Sequence, residues 1–468
     1  MSFKLVMLWT DVMVFLLLAV AIAGAWWIMQ RPHLLLPWQR LFKSRVGMVS
    51  LLILSFFVVT GLLDSLHYRV ALPANGNGKT IYAPEVLSVF DTLVGELRSH
   101  TEKTYSAPLA VFLYAKESIE TLEGNTLRDY PRLKYGGAHL LDPKHDHTVD
   151  VIKRSLFGLL VGGFCGVLLV VLSVSVAAVR SRMPVSGWLK ARQKSPVNAM
   201  LITVVLMAML IGLIANLAGA YHVLGTDKVG QDVLYLSLKS IRTGLVIGTV
   251  TTLVMLPFAL FLGIAAGYFR GWIDDVIQYI YTVLSSIPGV LLIAAAVLMM
   301  QVTIEKHAEW FSSSIERADL RLLFLCLILG VTSWTGLCRL LRGEALKLRE
   351  LEYIQASQAF GVSSLRILSR HILPNVMHIV LISVVMDFSA LVLAEAVLSY
   401  VGVGVDPSTN SFGTLINNAR LEMGRDPIVW WTLASAFSFM LVLVLAANLF
   451  ADAVRDAFDP RLNRTGNA

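Results

Sequence analysis

Arg342–Asn375 reads RGEALKLRELEYIQASQAFGVSSLRILSRHILPN, a charged island between two apolar runs, Leu322–Leu341 and Val376–Val401. Its cations are Arg342, Lys347, Arg349, Arg366 and Arg370, and its acids Glu344, Glu350 and Glu352. Leu348, Leu351, Ile354 and Ala359 recur at helical spacing. Gly361 breaks that run, Val362, Leu365, Ile367 and Leu368 resume it, and Pro374 is expected to stop it. The pattern is helix, sharp turn, helix. On the water side of a membrane such a hairpin is a docking surface for a soluble partner; an ordinary polar loop is the competing reading.

The rest of the chain supplies the membrane. Of 468 residues, 56% are hydrophobic and 15% charged, with mean hydropathy +0.69, whereas soluble domains are about 25% charged. Nine stretches approach the roughly 20 apolar residues a helix needs to cross a bilayer: Val12–Met29, Val46–Leu66, Leu156–Val179, Ala199–Ala218, Gly244–Gly267, Val276–Met300, Leu322–Leu341, Val376–Val401 and Ile428–Phe450. The expected fold class is therefore all-α, a polytopic membrane protein. Its net charge of +7 lies in short loops, without the long basic run that would point to nucleic acid. Cys165, Cys326 and Cys338 all fall in apolar runs and form neither a disulfide framework nor a metal spacing.

Loop charge orients the spans. Residues 30–45 carry Arg31, Arg40, Lys43 and Arg45 without an acid, and residues 180–198 carry Arg180, Arg182, Lys190, Arg192 and Lys194 without one. Both are expected in the cytoplasm. Alternation then places 268–275, 342–375 and the tail 451–468 inside, and 67–155, 219–243, 301–321, 402–427 and the N-terminus outside. The run Ala21–Ala25 offers a cleavage site, but the preceding region is a weak n-region, so Val12–Met29 is read as an uncleaved span.

Residues 67–155 form the one soluble insertion. Pro84 followed by Leu87, Phe90, Leu93, Val94 and Leu97 predicts an amphipathic helix, Pro108–Leu122 a second, and the insertion is expected to be a small helical domain. His139, His145, Asp146 and His147 cluster loosely but at no ligand spacing, so no metal is expected. The segment Leu224–Val233, LGTDKVGQDV, suggests a tight turn followed by an interfacial helix. Pro257 and Pro288 fall inside spans and are expected to kink them.

No P-loop, HExxH or GxSxG motif is present, so no catalytic residue, cofactor site or metal site is assigned. Asp387 and Glu395 lie in one span, eight positions apart and so within about 80° of each other on a helix. Intramembrane carboxylates are expensive and mark paths or relays. These two are candidates for a translocation path; helix–helix hydrogen bonds are the alternative.

The opening stretch resembles the cytoplasmic signature loop of binding-protein-dependent ABC importer permeases. Gln355-Ala356-Ser357 stands where that family has EAA, Gly361 is its glycine, and Leu373-Pro374 closes the motif. Three further segments are similar to the dipeptide/oligopeptide/nickel branch of C type. LGTDKVGQDV has Gln231 where the branch has Arg. Ala266–Trp272, AGYFRGW, resembles an AGYFGGW turn. Leu393–Pro407, followed by Ser411–Gly413, resembles LAEAxLSFLGLGVQPP with SWG. The likeness covers about 222–460 and the span 46–66.

This resemblance implies a type I importer permease core in which 342–375 is the coupling loop seated in an ATPase subunit. Gly361 supplies its bend, Ala356 and Ser357 its close approach, Glu344 and Glu352 polar contacts, and Leu373-Pro374 its end. It also implies a second permease subunit as heterodimer partner, two ATPase subunits that hold the ATP and magnesium, an extracytoplasmic solute-binding protein, and the bacterial inner membrane. The divisions expected are 1–45 (an extra span and basic loop), 46–66 (the first core span), 67–155 (the insertion), 156–220 (two extra spans) and 221–460 (the core). Peptides are the expected cargo. Nickel complexes or antimicrobial peptides on the same fold, an ion-coupled transporter using Asp387 and Glu395, and a membrane scaffold or sensor acting through 67–155 are the alternatives.

Overall fold

The computed structural model describes residues 3–72, 82–120, 126–181, 196–307, 309, 311 and 313–458. Arg182, Lys190, Arg192 and Lys194 of the basic 180–198 segment, and 459–468 of the tail, lie outside the described residues. Among the described residues, nine helices are long and apolar enough to cross a membrane. The chain runs through α1 (Trp9–Met29), α2 (Pro32–Leu41), α3 (Arg45–Asp64), the short α4 (Val89–Leu93) and α5 (Gly95–Ser99), α6 (Pro143–Arg180), α7 (Val197–Ala218) and α8 (Val233–Phe269). It continues through α9 (Trp272–Ser286), α10 (Gly289–Lys306), α11 (Ser314–Ser333), α12 (Thr335–Arg349), α13 (Glu352–Ala359), α14 (Ser364–Ile367), α15 (Leu373–Val401), α16 (Phe412–Glu422) and α17 (Trp431–Phe458).

Two expectations about prolines need correction. The stretch 276–300 is not one kinked helix but two, α9 and α10. Ile287 is extended (φ −87°, ψ 131°) and Pro288 caps α10. The proline ring crowds the residue before it out of helical geometry, so the helix stops. Pro374 does the opposite of what its position suggests: it lies in the first turn of α15, which follows a π-helical turn at Leu368–Ile372. A π turn widens the ladder where proline brings no N–H donor, and the chain continues instead of ending. Pro257 sits inside α8, as expected.

One compact unit comprises residues 1–4, 38–242 and 410–450. Within it α6 and α7 form a hairpin in which the backbones touch. A Cβ on Gly162 would lie 2.4 Å from the Ala208 carbonyl, and one on Gly158 2.6 Å from that of Gly212, the small-residue packing that lets membrane helices approach closely. Helix α3 packs on α7.

Among its described residues the insertion is mixed, not purely helical. It holds α4, α5, the first turns of α6 and two antiparallel ladders, His67–Val70 with Leu87–Ser88 and Glu117–Glu120 with Thr126–Asp129. The helix expected from Pro84 cannot begin before residue 89, because Ser88 and Asp91 close a capping box there: Ser88 Oγ accepts from the Asp91 N–H (3.0 Å) and the Asp91 carboxylate from the Ser88 N–H (2.9 Å). The expected second helix is opened by backbone bonds to other segments of the insertion, with Leu113 N–H donating to Pro131 O (2.8 Å) and Tyr114 N–H to Tyr105 O (3.0 Å). The insertion grips the segment before α8: Glu102 N–H donates to Gly230 O (2.9 Å), Leu109 N–H to His222 O (2.8 Å), and Thr226 N–H to Ser106 O (3.0 Å). Tyr105, Val233, Val429 and Trp431 share one apolar cluster. In LGTDKVGQDV, Gly225 and Gly230 hold positive φ, and Asp232 caps α8 through the Leu234 N–H (2.8 Å). No separate interfacial helix intervenes; α8 runs unbroken to Phe269.

The other unit comprises residues 5–37, 243–409 and 451–468. One core gathers Met255, Ala259, Trp334, Leu341, Ile354, Ile367 and Ile372. A second gathers Val246, Leu325, Leu329 and Leu398, with Met13, Val14 and Leu17 of α1 packed on it. At the start of α1 the Thr10 N–H donates to Asp319 Oδ2 (3.1 Å), so a core side chain serves one of the helix's orphan donors.

Candidate functional site

The hairpin begins where α12 ends. Glu350 caps α12 and Leu351 is extended (φ −72°, ψ 138°), which turns the chain into α13. Helix α13 closes on a Schellman motif: Val362 N–H reaches Ser357 O (3.1 Å) and Gly361 N–H reaches Gln358 O (3.0 Å). Gly361 is its left-handed residue, at φ 73°. No atom stands within 4 Å of a Cβ placed there, so conformation alone demands the glycine. Ile354, Ile367 and Ile372 are fully buried in the core beneath. Each such side chain stabilises by about 1.5–3 kcal/mol, which holds the hairpin on the helices instead of leaving it adrift.

The opposite face is open. Phe360 is 87% exposed and Leu365 76%. Of the residues singled out from sequence, Glu352, Ala356, Gly361 and Pro374 are exposed, while Glu344, Ser357 and Leu373 are half-buried. Glu344 pairs with Lys347 (3.2 Å), and Ser357 Oγ donates to Tyr353 O (2.8 Å). Thus Glu352, Ala356 and Gly361 lie on the accessible hairpin, whereas Leu373 packs inward. Phe360 was not singled out from sequence, and Leu365, read there as one of the apolar positions that resume the helix, faces out while Ile367 faces in. A large apolar residue just before the breaking glycine of a polar loop was the signal available.

A second segment meets the hairpin. Arg342 forks onto Asp274, Nε to Oδ1 at 2.6 Å and Nη2 to Oδ2 at 2.7 Å. The bonds from Arg342 hold the Asp274 carboxyl below its ordinary range, against the push of partial burial. Gly263 and Gly267 of α8 approach the backbone of α12 closely: a Cβ on Gly267 would lie 2.6 Å from Arg342 O.

The two intramembrane acids are not brought together. Glu395 is buried and accepts from Ser399 Oγ (2.7 Å). Asp387, half-buried two turns earlier, makes no hydrogen bond or ion pair among the described residues. Among those residues no His/Cys/Asp/Glu group has metal-holding geometry. His139 instead bonds Asp150 (2.8 Å), and His147 bonds Leu109 O (2.8 Å).

Residues 259–464 match the model of the family described as binding-protein-dependent transport system inner membrane component. The oligopeptide transport system permease protein OppC of Mycobacterium tuberculosis (strain ATCC 25618 / H37Rv) is 32% identical over 242 residues, which are 52% of this chain and 77% of the relative. The dipeptide transport system permease protein DppC of Lactococcus lactis subsp. cremoris is 31% identical over 51% of this chain and 64% of its own. The glutathione transport system permease protein GsiD of Pectobacterium atrosepticum is 32% identical over 52% and 73%. Among solved structures, an inward-facing MetNI methionine ABC transporter chain aligns with TM-score 0.37 at 16% identity, over 48% of this chain and 98% of that one.

Proposed function

The chain belongs to the family of binding-protein-dependent transport system inner membrane components, the permease subunits of ABC importers, and from that premise we propose that it carries di- and oligopeptides across the bacterial inner membrane. The peptide cargo rests on relatives whose names state oligopeptide or dipeptide transport. In this reading a second permease subunit completes the path as a heterodimer. Two ATPase subunits bind ATP and magnesium, and a solute-binding protein delivers cargo from outside. The chain itself hydrolyses nothing.

Force enters at the hairpin. The single observation that carries this assignment is the pairing of a buried apolar underside (Ile354, Ile367, Ile372) with an exposed apolar crown, Phe360 and Leu365, on a loop that this reading places in the cytoplasm. A buried underside makes the hairpin rigid, and an apolar crown favours a protein cover over water. Ala356 and Ser357 present little bulk beside the crown. Glu352 adds an acid at its edge, Glu344 one turn into α12, and Leu373-Pro374 joins the hairpin to α15. When ATP draws the ATPase subunits together, the hairpin moves and the helices between 244 and 450 alternate their access. The tail and the segments 268–275 and 342–375 then face the cytoplasm, with the insertion and the N-terminus outside. Asp387, without a polar partner, lines the path; Glu395, bonded to Ser399, is its weaker companion.

Cysteine scanning tests the docking. Single cysteines at Phe360 and Leu365 should form crosslinks to a cysteine-bearing ATPase subunit in membranes, while cysteines at exposed positions of the insertion such as Leu141 should not. Equal crosslinking at both sites would sink the assignment.

A further inference from the structure

The hairpin is held by a segment for which neither the coupling motif nor the bend at Gly361 accounts. Four polar contacts run from residues 342–358 onto residues 268–274. Arg342 forks onto Asp274. Arg349 Nη1 donates to Tyr268 O (2.7 Å), Arg270 pairs with Glu350, and the Gln358 amide donates to the Tyr268 hydroxyl (3.2 Å). These contacts bracket the break between α12 and α13, so both helices are tied to one turn, the turn that joins α8 to α9.

That turn is costly in one respect. Arg270 stands at φ 57°, followed by Gly271 at φ 60°. A residue with a Cβ is disfavoured in the left-handed region, and a half-exposed ion pair returns less than that costs. Stability therefore gives no reason for arginine here. What arginine adds over glycine is a side chain that reaches Glu350, the residue on which α12 ends.

We propose that residues 268–274 form a latch that carries the movement of the hairpin into α8 and α9, with Arg270 and Asp274 as its positioning residues. Without the latch, a pull on α13 reaches α8 and α9 only through the apolar core, which is non-directional and fixes no angle. With it, the turn between α8 and α9 moves with the hairpin, and the planar fork of Arg342 on Asp274 fixes the angle at which it does so. The latch rests on the coupling role proposed above.

The test uses the assembled transporter in proteoliposomes and reads three quantities: ATPase subunits copurified, ATP hydrolysed, and labelled tripeptide moved per ATP. Arg270→Gly relieves the backbone and cannot fail by misfolding at that turn; Asp274→Asn keeps the shape and removes the charge. In both, peptide moved per ATP should fall about fivefold while ATPase copurification holds. The reciprocal exchanges, Arg270→Glu with Glu350→Arg and Asp274→Arg with Arg342→Asp, should recover most of it. Single variants that move as much peptide per ATP as the wild type, or exchanges as poor as the singles, would overturn the latch. A wild-type chain that copurifies no ATPase would overturn the coupling role, and the latch with it.

Discussion

Replacing His222 by leucine removes the cation that two buried carboxylates share. His222 Nδ1 lies 2.7 Å from Asp232 and Nε2 3.4 Å from Glu102, with all three side chains at most 4% exposed. Stripping one partner from such a group costs about 3–5 kcal/mol, because the remaining charge stays buried. Here the lower figure applies. Glu102 still accepts from the N–H groups of Lys134 (2.8 Å), Tyr135 (2.7 Å) and Gly136 (3.1 Å), and Asp232 from that of Leu234 (2.8 Å). A loss of about 3 kcal/mol is roughly two decades in an opening equilibrium. The carboxylates belong respectively to the insertion and to the segment before α8, so opening should free the bonds between Glu102 N–H and Gly230 O and between Thr226 N–H and Ser106 O. Amide hydrogen exchange at Glu102 and Thr226 in the purified protein should accelerate about 100-fold in His222→Leu. Protection within threefold of the wild type would refute the reasoning.

The same triad sets a pH window. Burial presses the His222 pKa down, but the bonds and charges of Asp232 and Glu102 outweigh it and hold the value at about 9, above the ordinary 6.5. A raised pKa contributes stability that is fully present below about 6.5 and is lost as pH rises through 9. Burial presses Glu102 upward, but His222 and three backbone N–H groups bring it to about 2. Its contribution is present above about 4.5 and is lost as pH falls towards 2. Insertion docking in the wild type should therefore weaken towards both extremes, and His222→Leu should abolish the alkaline limb.

Gly361→Pro should abolish ATPase copurification while membrane insertion persists, since proline cannot adopt φ 73°; a pull-down from membranes reads this. Gly162→Leu should part α6 from α7, where even a Cβ meets Ala208 O at 2.4 Å. The detergent-solubilised protein should lose at least about 2 kcal/mol in thermal unfolding, and an unchanged midpoint would contradict that packing. Asp387→Asn should lower peptide uptake several-fold if the carboxylate lines the path; unchanged uptake would reduce Asp387 to a packing contact.

Features that repeat along the chain were legible in sequence. Apolar runs located the spans, and the rhythm of Leu348, Leu351 and Ile354, broken at Gly361, located the hairpin. Contacts between distant residues were not. Nothing near Asp274 in the chain announces Arg342, and the glycines of α6 acquire meaning only when Ala208 and Gly212 are brought against them. The insertion misled for a different reason. The apolar spacing after Pro84 fits a helix, yet the Ser88–Asp91 capping box starts it five residues late and Val94 (φ −107°, ψ 30°) ends it early. Pro288 and Pro374 show that a proline's effect depends on whether the preceding turn can widen.

ATP-driven peptide uptake into proteoliposomes tests the central claim most directly. The transporter assembled with its ATPase subunits should accumulate labelled tripeptide when ATP is supplied and none when a proton gradient replaces it. Uptake that persists on the gradient without ATP would contradict the account and return Asp387 and Glu395 to the centre of the mechanism.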